Sequence, residues 1–297
     1  MKSSLLFATS LLVSSSLAQE SNDYYSDAQA RISLQLSQDA YCGKAAYLSQ
    51  HYSGVVSGFV ATKVISNVVN DVEGFVGYLP SDKSIFVVFR GSESVRNWIT
   101  NLSADKTNYT TFPACTGCQV HSGFYSATKS VYPDVLKEVQ RLRALYPTYA
   151  IKTTGHSLGG ALAQLTAMEL LNSGYSVSMI NFGQPRVGEV NYAKFSQTKM
   201  PSQYRVVHNH DIVPHNPSST WPLNFHHTRY EEWQQSNGVV KQCDASGEDP
   251  TCSDSVNALL LNVDDHLVYL GMCMGTSCGT CPAAVFESEE ASDAFLF

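Results

Sequence analysis

The sequence has 297 residues, a formal net charge of −7 at pH 7 and 43% hydrophobic residues. Nucleic-acid binding relies on clustered Lys and Arg facing phosphates, so an acidic chain without such a cluster is not expected to bind nucleic acid. The length and composition are those of a globular monomer with a substantial core, and nothing in them calls for a metal ion or an organic cofactor.

The N-terminus predicts export. Residues 1–18 combine one lysine with an uncharged apolar stretch from Leu5 to Val13 and with small residues that end at Ala18. This is the layout of a cleavable secretory signal, and the apolar stretch is too short to span a bilayer. We therefore expect a secreted, extracellular protein without a transmembrane segment, in which residues 19–297 form a single domain.

Strand-like and helical segments alternate along residues 19–297. In chain order the sequence predicts a helix over 28–51, strands over 59–69, 73–79 and 84–89, a helix over 131–145, a strand over 149–154, a helix over 161–171, and strands over 177–182 and 204–208. The run 84–89 is apolar on both faces, which is typical of a buried central strand. This alternation predicts an α/β fold with a mostly parallel sheet flanked by helices.

A short amphipathic segment follows the strand at 84–89. Apolar residues recur there at i, i+3, i+4 and i+7, and polar residues lie on the opposite face. The apolar residues are Val95, Trp98, Ile99 and Leu102. The pattern predicts one short helix. Asn101 and Asn108 begin Asn-x-Ser/Thr sequences and are candidate glycan acceptors.

The sequence Gly155-His156-Ser157-Leu158-Gly159 lies where a predicted strand meets a predicted helix. A serine hydroxyl becomes an effective nucleophile when a tight strand-to-helix turn holds it clear of the backbone beside a base. The glycines on both sides permit such a turn, and the helix N-terminus directs free N–H groups at developing negative charge. We expect Ser157 to be the nucleophile, while His156 is directed away from it and has a structural role.

The base should be a histidine and its orienting acid a carboxylate at the end of a strand. His266 lies near the C-terminus after an apolar run and completes the order Ser, Asp, His of this fold, with Asp211 after the strand 204–208. Asp264 and Asp265 are too close in sequence to His266 to reach its far ring nitrogen and are expected at the surface or in a turn. Residue type alone leaves other histidines open as the base: His208, His210, His215, His226 and His227.

Eight cysteines in an apparently exported chain favour disulfides over thiols or metal ligands. Cys115 and Cys118 lack the second close pair and nearby histidines of a zinc site, and they do not open a helix as a redox pair would. We expect a small disulfide loop there, and another between Cys243 and Cys252.

With these residues in place, the chain resembles the fungal class 3 lipases, whose feruloyl esterase relatives share the fold. The matching stretches, in family order, are VFRGS at 88–92, NWI at 97–99, GHSLGG at 155–160, FGQPRVG at 182–188, DIVP at 211–214 and DHL at 265–267. The resemblance implies an α/β-hydrolase fold and a triad of Ser157, Asp211 and His266, in agreement with the interpretation above.

The resemblance also implies features that spacing does not reach. Ser92 resembles the second oxyanion-hole position, paired with the backbone N–H of Leu158, because a tetrahedral intermediate needs two fixed donors. Cys42 would bridge to the C-terminal region, where three cysteines compete: Cys273, Cys278 and Cys281. We expect Cys42 with Cys278, which leaves Cys273 with Cys281.

In the related lipases, the position of the amphipathic helix at 95–102 is a lid over the active site. The same pattern is also that of a helix packed permanently on the core. We expect an acylglycerol lipase that acts on lipid esters at lipid–water interfaces. A feruloyl or other carbohydrate-linked ester hydrolase is the alternative enzyme, and a non-catalytic lipid- or glycan-binding protein on a hydrolase scaffold is the alternative of another class.

Overall fold

The structure of the chain is a computed structural model that describes residues 25–279 and 281. The predicted signal segment 1–18 and the tail 282–297 lie outside the described residues. Within the described part, no helix is both long enough and apolar enough to cross a membrane.

The described residues form six α-helices joined by strands and short 3-10 turns. The helices are α1 (Asp27–Asp39), α2 (Lys44–Tyr47), α3 (Val95–Asn101), α4 (Ser122–Leu145), α5 (Leu158–Asn172) and α6 (Val190–Lys199). The helix predicted over 28–51 is thus shorter than expected. It ends because Gly43, at φ +83°, breaks the helical path after a 3-10 turn at Ala40–Cys42.

The strands are β1 (Val60–Asn67), β2 (Val72–Leu79), β3 (Ser84–Phe89), β4 (Lys106–Asn108), β5 (Gln119–His121), β6 (Ala150–Gly155), β7 (Val177–Phe182), β8 (Gly188–Glu189), β9 (Gln203–His208), β10 (Phe225–His226), β11 (Glu231–Gln234), β12 (Val240–Gln242), β13 (Val268–Tyr269) and β14 (Met272–Cys273). The predicted strands at 84–89 and 177–182 are confirmed at both ends, and the other predicted strands are confirmed within a few residues.

The central sheet has eight strands in the order β1-β2-β3-β6-β7-β9-β11-β12. The five strands from β3 to β11 are parallel to one another, and antiparallel strands flank them at both edges. The predicted mostly parallel sheet is therefore confirmed. Because the carboxyl ends of parallel strands meet at one edge, the segments that follow β3, β6, β7 and β9 converge there.

The core lies on both faces of this sheet. In β3, Ile85, Val87 and Phe89 pack on the side of α4 and α5, while Phe86 and Val88 pack on the opposite side. Burying each of these side chains stabilises the fold by roughly 1.5 to 3 kcal/mol. The two-sided burial explains why the strand is apolar at every position except its first residue.

The disulfides differ in part from expectation. The loops closed by Cys115–Cys118 and by Cys243–Cys252 are confirmed. The expected partners of the other four cysteines are wrong: the observed bridges join Cys42 to Cys281 and Cys273 to Cys278.

Local geometry explains that difference. The chain leaves β14 and turns at Gly275, at φ +115°, into the 3-10 segment Thr276–Cys278. The turn brings the Cα atoms of Cys273 and Cys278 to 5.7 Å, within the range that a disulfide spans. Cys281, three residues farther along, is the cysteine left to reach Cys42.

Candidate active site

Ser157 occupies the turn between β6 and α5. Its backbone is at φ 59° and ψ −131°, a conformation that costs free energy for any residue with a side chain. Added Cβ atoms at Gly155 or Gly159 would overlap backbone atoms of Gly159 and Phe89 respectively, so both positions require glycine. The turn therefore depends on these two glycines, as the sequence predicts for a nucleophile held on a tight corner.

Asp211 and His266 form a buried hydrogen-bonded pair. The Nδ1 atom of His266 lies 2.7 Å from Oδ2 of Asp211, and both side chains are fully buried. The other carboxylate oxygen accepts the backbone N–H of Val213 at 2.8 Å. The carboxylate fixes the ring orientation of His266 and leaves Nε2 as its free nitrogen, the arrangement of an oriented general base.

Tyr269 is a residue that sequence reasoning missed. Its hydroxyl donates a short hydrogen bond to the same Oδ2 atom of Asp211 that His266 contacts. Burial, followed by the charge of Asp211, raises the pKa of Tyr269 well above its usual value, so the hydroxyl remains a donor. The only sequence signal is its spacing, three residues after His266.

The loop that carries His266, residues 262–267 and here called the histidine loop, is attached to the loop that carries Asp211. The two loops meet in a parallel bridge between Asp211 and Asn262, and Asp265 accepts hydrogen bonds from Asn209, Asn262 and the backbone of His210. Asp264 is exposed and Asp265 lies in the 3-10 turn Asp265–Leu267, as predicted. Asp265 additionally ties the two loops together.

Ser157 and His266 both contact the C-terminal end of β7. The N–H of Ser157 donates to the carbonyl of Phe182 at 2.9 Å, and a Cβ atom on Gly183 would lie 2.7 Å from Cε1 of His266. Within the described residues, Oγ of Ser157 and Nε2 of His266 are buried and have no hydrogen-bond partner. The two groups are therefore not hydrogen-bonded to each other, although both belong to segments at this edge of the sheet.

His156 braces the turn. Its Nδ1 atom lies 2.7 Å from the Tyr41 hydroxyl, and its Nε2 atom lies 2.9 Å from the backbone oxygen of His266. Burial, followed by the charge of His266, lowers the pKa of His156 well below its usual value, so the ring stays neutral. Its contacts are those of a structural residue.

The other candidate histidines have contacts away from Ser157. His208 faces the backbone oxygen of Asp265 at 2.8 Å, and His227 faces that of Pro214 at 2.7 Å. His226 Nδ1 lies 2.7 Å from the backbone oxygen of His227. His210 lies 3.9 Å from Asp265, and His215 lies 3.7 Å from Asp254.

Ser92 and Leu158, the expected oxyanion donors, lie after the end of β3 and at the start of α5. Ser92 follows β3 and is buried, and its hydroxyl has no partner among the described residues. Leu158 is the first residue of α5, so its N–H is one of the helix donors without an intrahelical acceptor. Gly91 lets the segment that carries Ser92 lie close to the turn at Ser157, because a Cβ atom on Gly91 would lie 2.9 Å from Cβ of Ser157.

Helix α3 begins three residues after Ser92. Val95 is buried, Trp98 stacks on Phe124 with ring centroids 6.2 Å apart, and Trp98 and Leu102 are partly buried against the core. A cavity of about 200 Å³ separates the start of α3 from Val263 and Leu267 of the histidine loop. Arg96 of α3 forms an exposed ion pair across this cavity with Asp264, at 3.6 Å.

The described residues include one group with the spacing of metal ligands, at Glu231, Cys243 and Cys252. Both cysteines are joined in a disulfide, so neither offers a thiolate. The group is therefore unsuited to a metal ion.

Residues 86–221 match the family model for lipase (class 3). The lipase of Rhizomucor miehei is 35% identical over 220 residues, which cover 72% of this chain and 59% of that protein. The secreted mono- and diacylglycerol lipase 1 of Fusarium solani is 32% identical over 240 residues, covering 77% of this chain and 69% of that protein. The chain thus spans little more than half the length of the Rhizomucor protein.

The fold is similar to those of solved lipases. The Rhizomucor miehei triacylglyceride lipase superposes with a TM-score of 0.77 at 32% identity, covering 84% of this chain and 95% of that chain. A solved triacylglycerol lipase whose catalytic centre is described as a serine protease triad gives the same TM-score, identity and coverage. The expected α/β-hydrolase fold is confirmed by these neighbours.

Proposed function

Because the chain belongs to the class 3 lipase family, we propose that it is a secreted lipase that hydrolyses acylglycerols through an acyl-enzyme on Ser157. The observation that carries this proposal is the buried pair of Asp211 and His266, 2.7 Å apart, beside the strained turn of Ser157.

The chemistry follows from the positions of the polar atoms. Nε2 of His266 accepts the proton of the Ser157 hydroxyl as the serine oxygen attacks the ester carbonyl, and Asp211 stabilises the resulting imidazolium. The hydroxyl of Ser92 and the N–H of Leu158 donate to the oxyanion of the tetrahedral intermediate. His266 returns its proton to the departing alcohol, and water activated by the same nitrogen then releases the fatty acid.

Lipid esters are favoured as substrates by helix α3. Its apolar residues can be buried either on the protein or in lipid, so a closed and an open position differ little in free energy. The partial burial of Trp98 on Phe124 fits the closed position, and the covered Ser157 agrees with it. In this proposal α3 is a lid that opens at a lipid surface. Two exposed asparagines, Asn101 and Asn108, stay candidate glycan acceptors on and after it.

A feruloyl or other carbohydrate-linked ester hydrolase is the second candidate. It is favoured by the Cys115–Cys118 loop and the tyrosine-rich composition, 16 tyrosines in all. A non-catalytic binding protein on the same scaffold is disfavoured because every predicted catalytic residue is retained and Asp211 contacts His266.

The discriminating experiment compares hydrolysis rates on a triglyceride above and below its solubility limit with rates on methyl ferulate. If the protein is a lipase, we expect the rate of triglyceride hydrolysis to rise steeply where the triglyceride forms an emulsion, and we expect slow cleavage of methyl ferulate. A rate that follows substrate concentration smoothly through that limit, together with faster cleavage of ferulate, would select the second candidate.

A further inference from the structure

A disulfide-closed loop far along the chain places a partly buried carboxylate, that of Glu248, close to the segment that follows Asp211. The loop 243–252 is closed by Cys243–Cys252. Its residue Glu248 accepts two hydrogen bonds from Arg186, at 2.8 Å from Nε and 2.6 Å from Nη2. Within the loop, Asp249 accepts the backbone N–H groups of Asp244 and Thr251, so the loop is folded on itself.

Arg186 uses its remaining donors on the segment 214–217. Its Nη1 atom donates to the carbonyl oxygens of His215 at 2.7 Å and of Pro217 at 3.2 Å. Its backbone N–H donates to the carbonyl of Asn216 at 2.8 Å. Arg186 is buried, and a buried guanidinium whose donors are engaged on a carboxylate and on carbonyl groups has little freedom to move.

The same carboxylate also holds the neighbouring histidine. The backbone N–H of His227 donates to Glu248 at 2.7 Å, and Nε2 of His227 lies 2.7 Å from the carbonyl oxygen of Pro214. Burial, followed by the charge of Arg205, lowers the pKa of His227 well below its usual value, so its ring is neutral and donates from Nε2. Four consecutive carbonyls, from Pro214 to Pro217, are thus held by two residues that both bind Glu248.

Glu248 and Arg186 carry opposite charges, which strengthens the hydrogen bonds between them. Burial by itself raises the pKa of Glu248, but the hydrogen bonds and charge of Arg186, together with the backbone N–H of His227, outweigh it and hold the pKa well below its usual range. Glu248 is therefore ionised and pairs with the Arg186 cation. Asp254, at 3.4 Å from Nη2, is a second acid beside the same guanidinium.

The held segment is directly connected to the Asp211 carboxylate. The 3-10 turn Val213–His215 begins two residues after Asp211, and the N–H of Val213 donates to Asp211 at 2.8 Å. A displacement of this turn therefore moves the carboxylate relative to His266. Misplacement of a catalytic group by about 1 Å can lower a rate on the order of 100-fold.

We propose that the Cys243–Cys252 loop positions the acid of the triad: Glu248 fixes Arg186 and His227, and these fix the turn that sets Asp211 against His266. The three residues are positioning residues, since none of them touches the reacting atoms. The inference rests on the proposed function, because it assigns the loop to the same site.

The test compares Glu248→Ala and Glu248→Gln with wild type on a soluble short-chain ester, so that lid opening does not limit the rate. We expect kcat to fall at least about 10-fold in Glu248→Ala with KM within about twofold, because alignment and not substrate binding is lost. Glu248→Gln keeps an oxygen that accepts from Arg186 and should recover part of kcat. The rate of fluorophosphonate labelling of Ser157 should fall in parallel.

The matched control is Glu169→Gln. Glu169 is also a buried carboxylate that pairs with a cation, Lys129 at 2.7 Å, and it lies outside the Asp211 loop. At a temperature well below unfolding of both variants, the control should keep wild-type kcat even if its Tm falls equally. Should Glu248→Ala not fold, Glu248→Gln and the double variant Cys243→Ser/Cys252→Ser carry the same comparison with the control.

Equal kcat in the Glu248 variants and the Glu169 control would overturn the inference and leave the proposed function intact. A wild-type protein that neither hydrolyses esters nor labels at Ser157 would instead remove the proposed function, and the inference with it.

Discussion

The Tyr269 hydroxyl donates a hydrogen bond to the Asp211 carboxylate oxygen that also faces the histidine ring. One oxygen therefore has two donors, and the other has the N–H of Val213. A carboxylate with all its contacts inside the protein is held in one orientation, which is what a base-orienting acid needs.

Replacing Tyr269 by phenylalanine should lower kcat on a soluble ester on the order of 10-fold, since a hydrogen bond to a charged acceptor contributes about 1.5 to 3 kcal/mol. KM should change little because Tyr269 is buried behind Asp211. Tyr192→Phe is the matched control: its hydroxyl is also buried but has no partner among the described residues, so kcat should stay at the wild-type value. Equal effects of the two substitutions would contradict the role given to Tyr269.

Gly159→Ala should disrupt the turn at Ser157. The added methyl would overlap the carbonyl of Phe89 and lie 2.8 Å from that of Arg90, so α5 and the end of β3 must separate. Overpacking of this kind costs about 1 to 3 kcal/mol, and the shift displaces Ser92 as well. We expect a lower Tm and a large loss of activity. Gly160→Ala meets a Gln184 side-chain atom at 3.1 Å and should be milder, and the reverse order would count against this geometry.

Asp39 should make stability fall as pH rises. Burial raises its pKa from 3.8 to about 7, and its buried Oδ2 atom has no partner among the described residues. The folded state therefore binds a proton more tightly than the unfolded chain, so the contribution is complete below about pH 4 and is lost as pH rises through about 7.

Asp39→Asn removes this titration. The Tm of Asp39→Asn should be close to that of wild type near pH 4 and higher than wild type at pH 8. The corresponding gain in the free energy of unfolding at pH 8 is on the order of 2 to 4 kcal/mol. The measurement is thermal unfolding of both proteins at several pH values. A difference in Tm that is the same at both ends of the range would show that Asp39 does not titrate in this way.

Trp98→Ala should reduce the dependence of the rate on an oil surface. The indole holds α3 against Phe124 in the closed position, and the same side chain is available to lipid in the open one. The substitution removes both the contact with Phe124 and the contact with lipid. Each removal should lower the ratio of the triglyceride hydrolysis rate above the solubility limit to the rate below it. Arg96→Ala is the control: its ion pair with Asp264 is 75% and 88% exposed, and such pairs contribute little. An unchanged ratio in Trp98→Ala would indicate a fixed helix.

Much of the fold follows from local sequence. The strand at 84–89 is predictable because its apolar residues serve two core faces, and the glycines around Ser157 are predictable because the turn excludes side chains. The triad candidates follow from residue type, order along the chain and position at strand ends.

The remaining features depend on contacts that no local pattern records. Tyr269 meets Asp211 across 58 residues, and Glu248 meets Arg186 across 62. Four cysteines allow about three pairings, and spacing does not choose among them. The turn at Gly275, which sets the pairing of Cys273 with Cys278, depends on backbone geometry in a glycine-rich segment.

The proposed activity depends on Ser157 as a nucleophile that His266 activates. Wild-type protein and Ser157→Ala should be treated with a fluorophosphonate, digested and mapped by mass spectrometry, with ester hydrolysis measured in parallel. We expect one phosphonylated serine, Ser157, in wild type, and no label in the variant together with a loss of activity on the order of 10⁶-fold. Labelling at another serine, or a Ser157→Ala protein that still labels and hydrolyses esters, would contradict this role of Ser157.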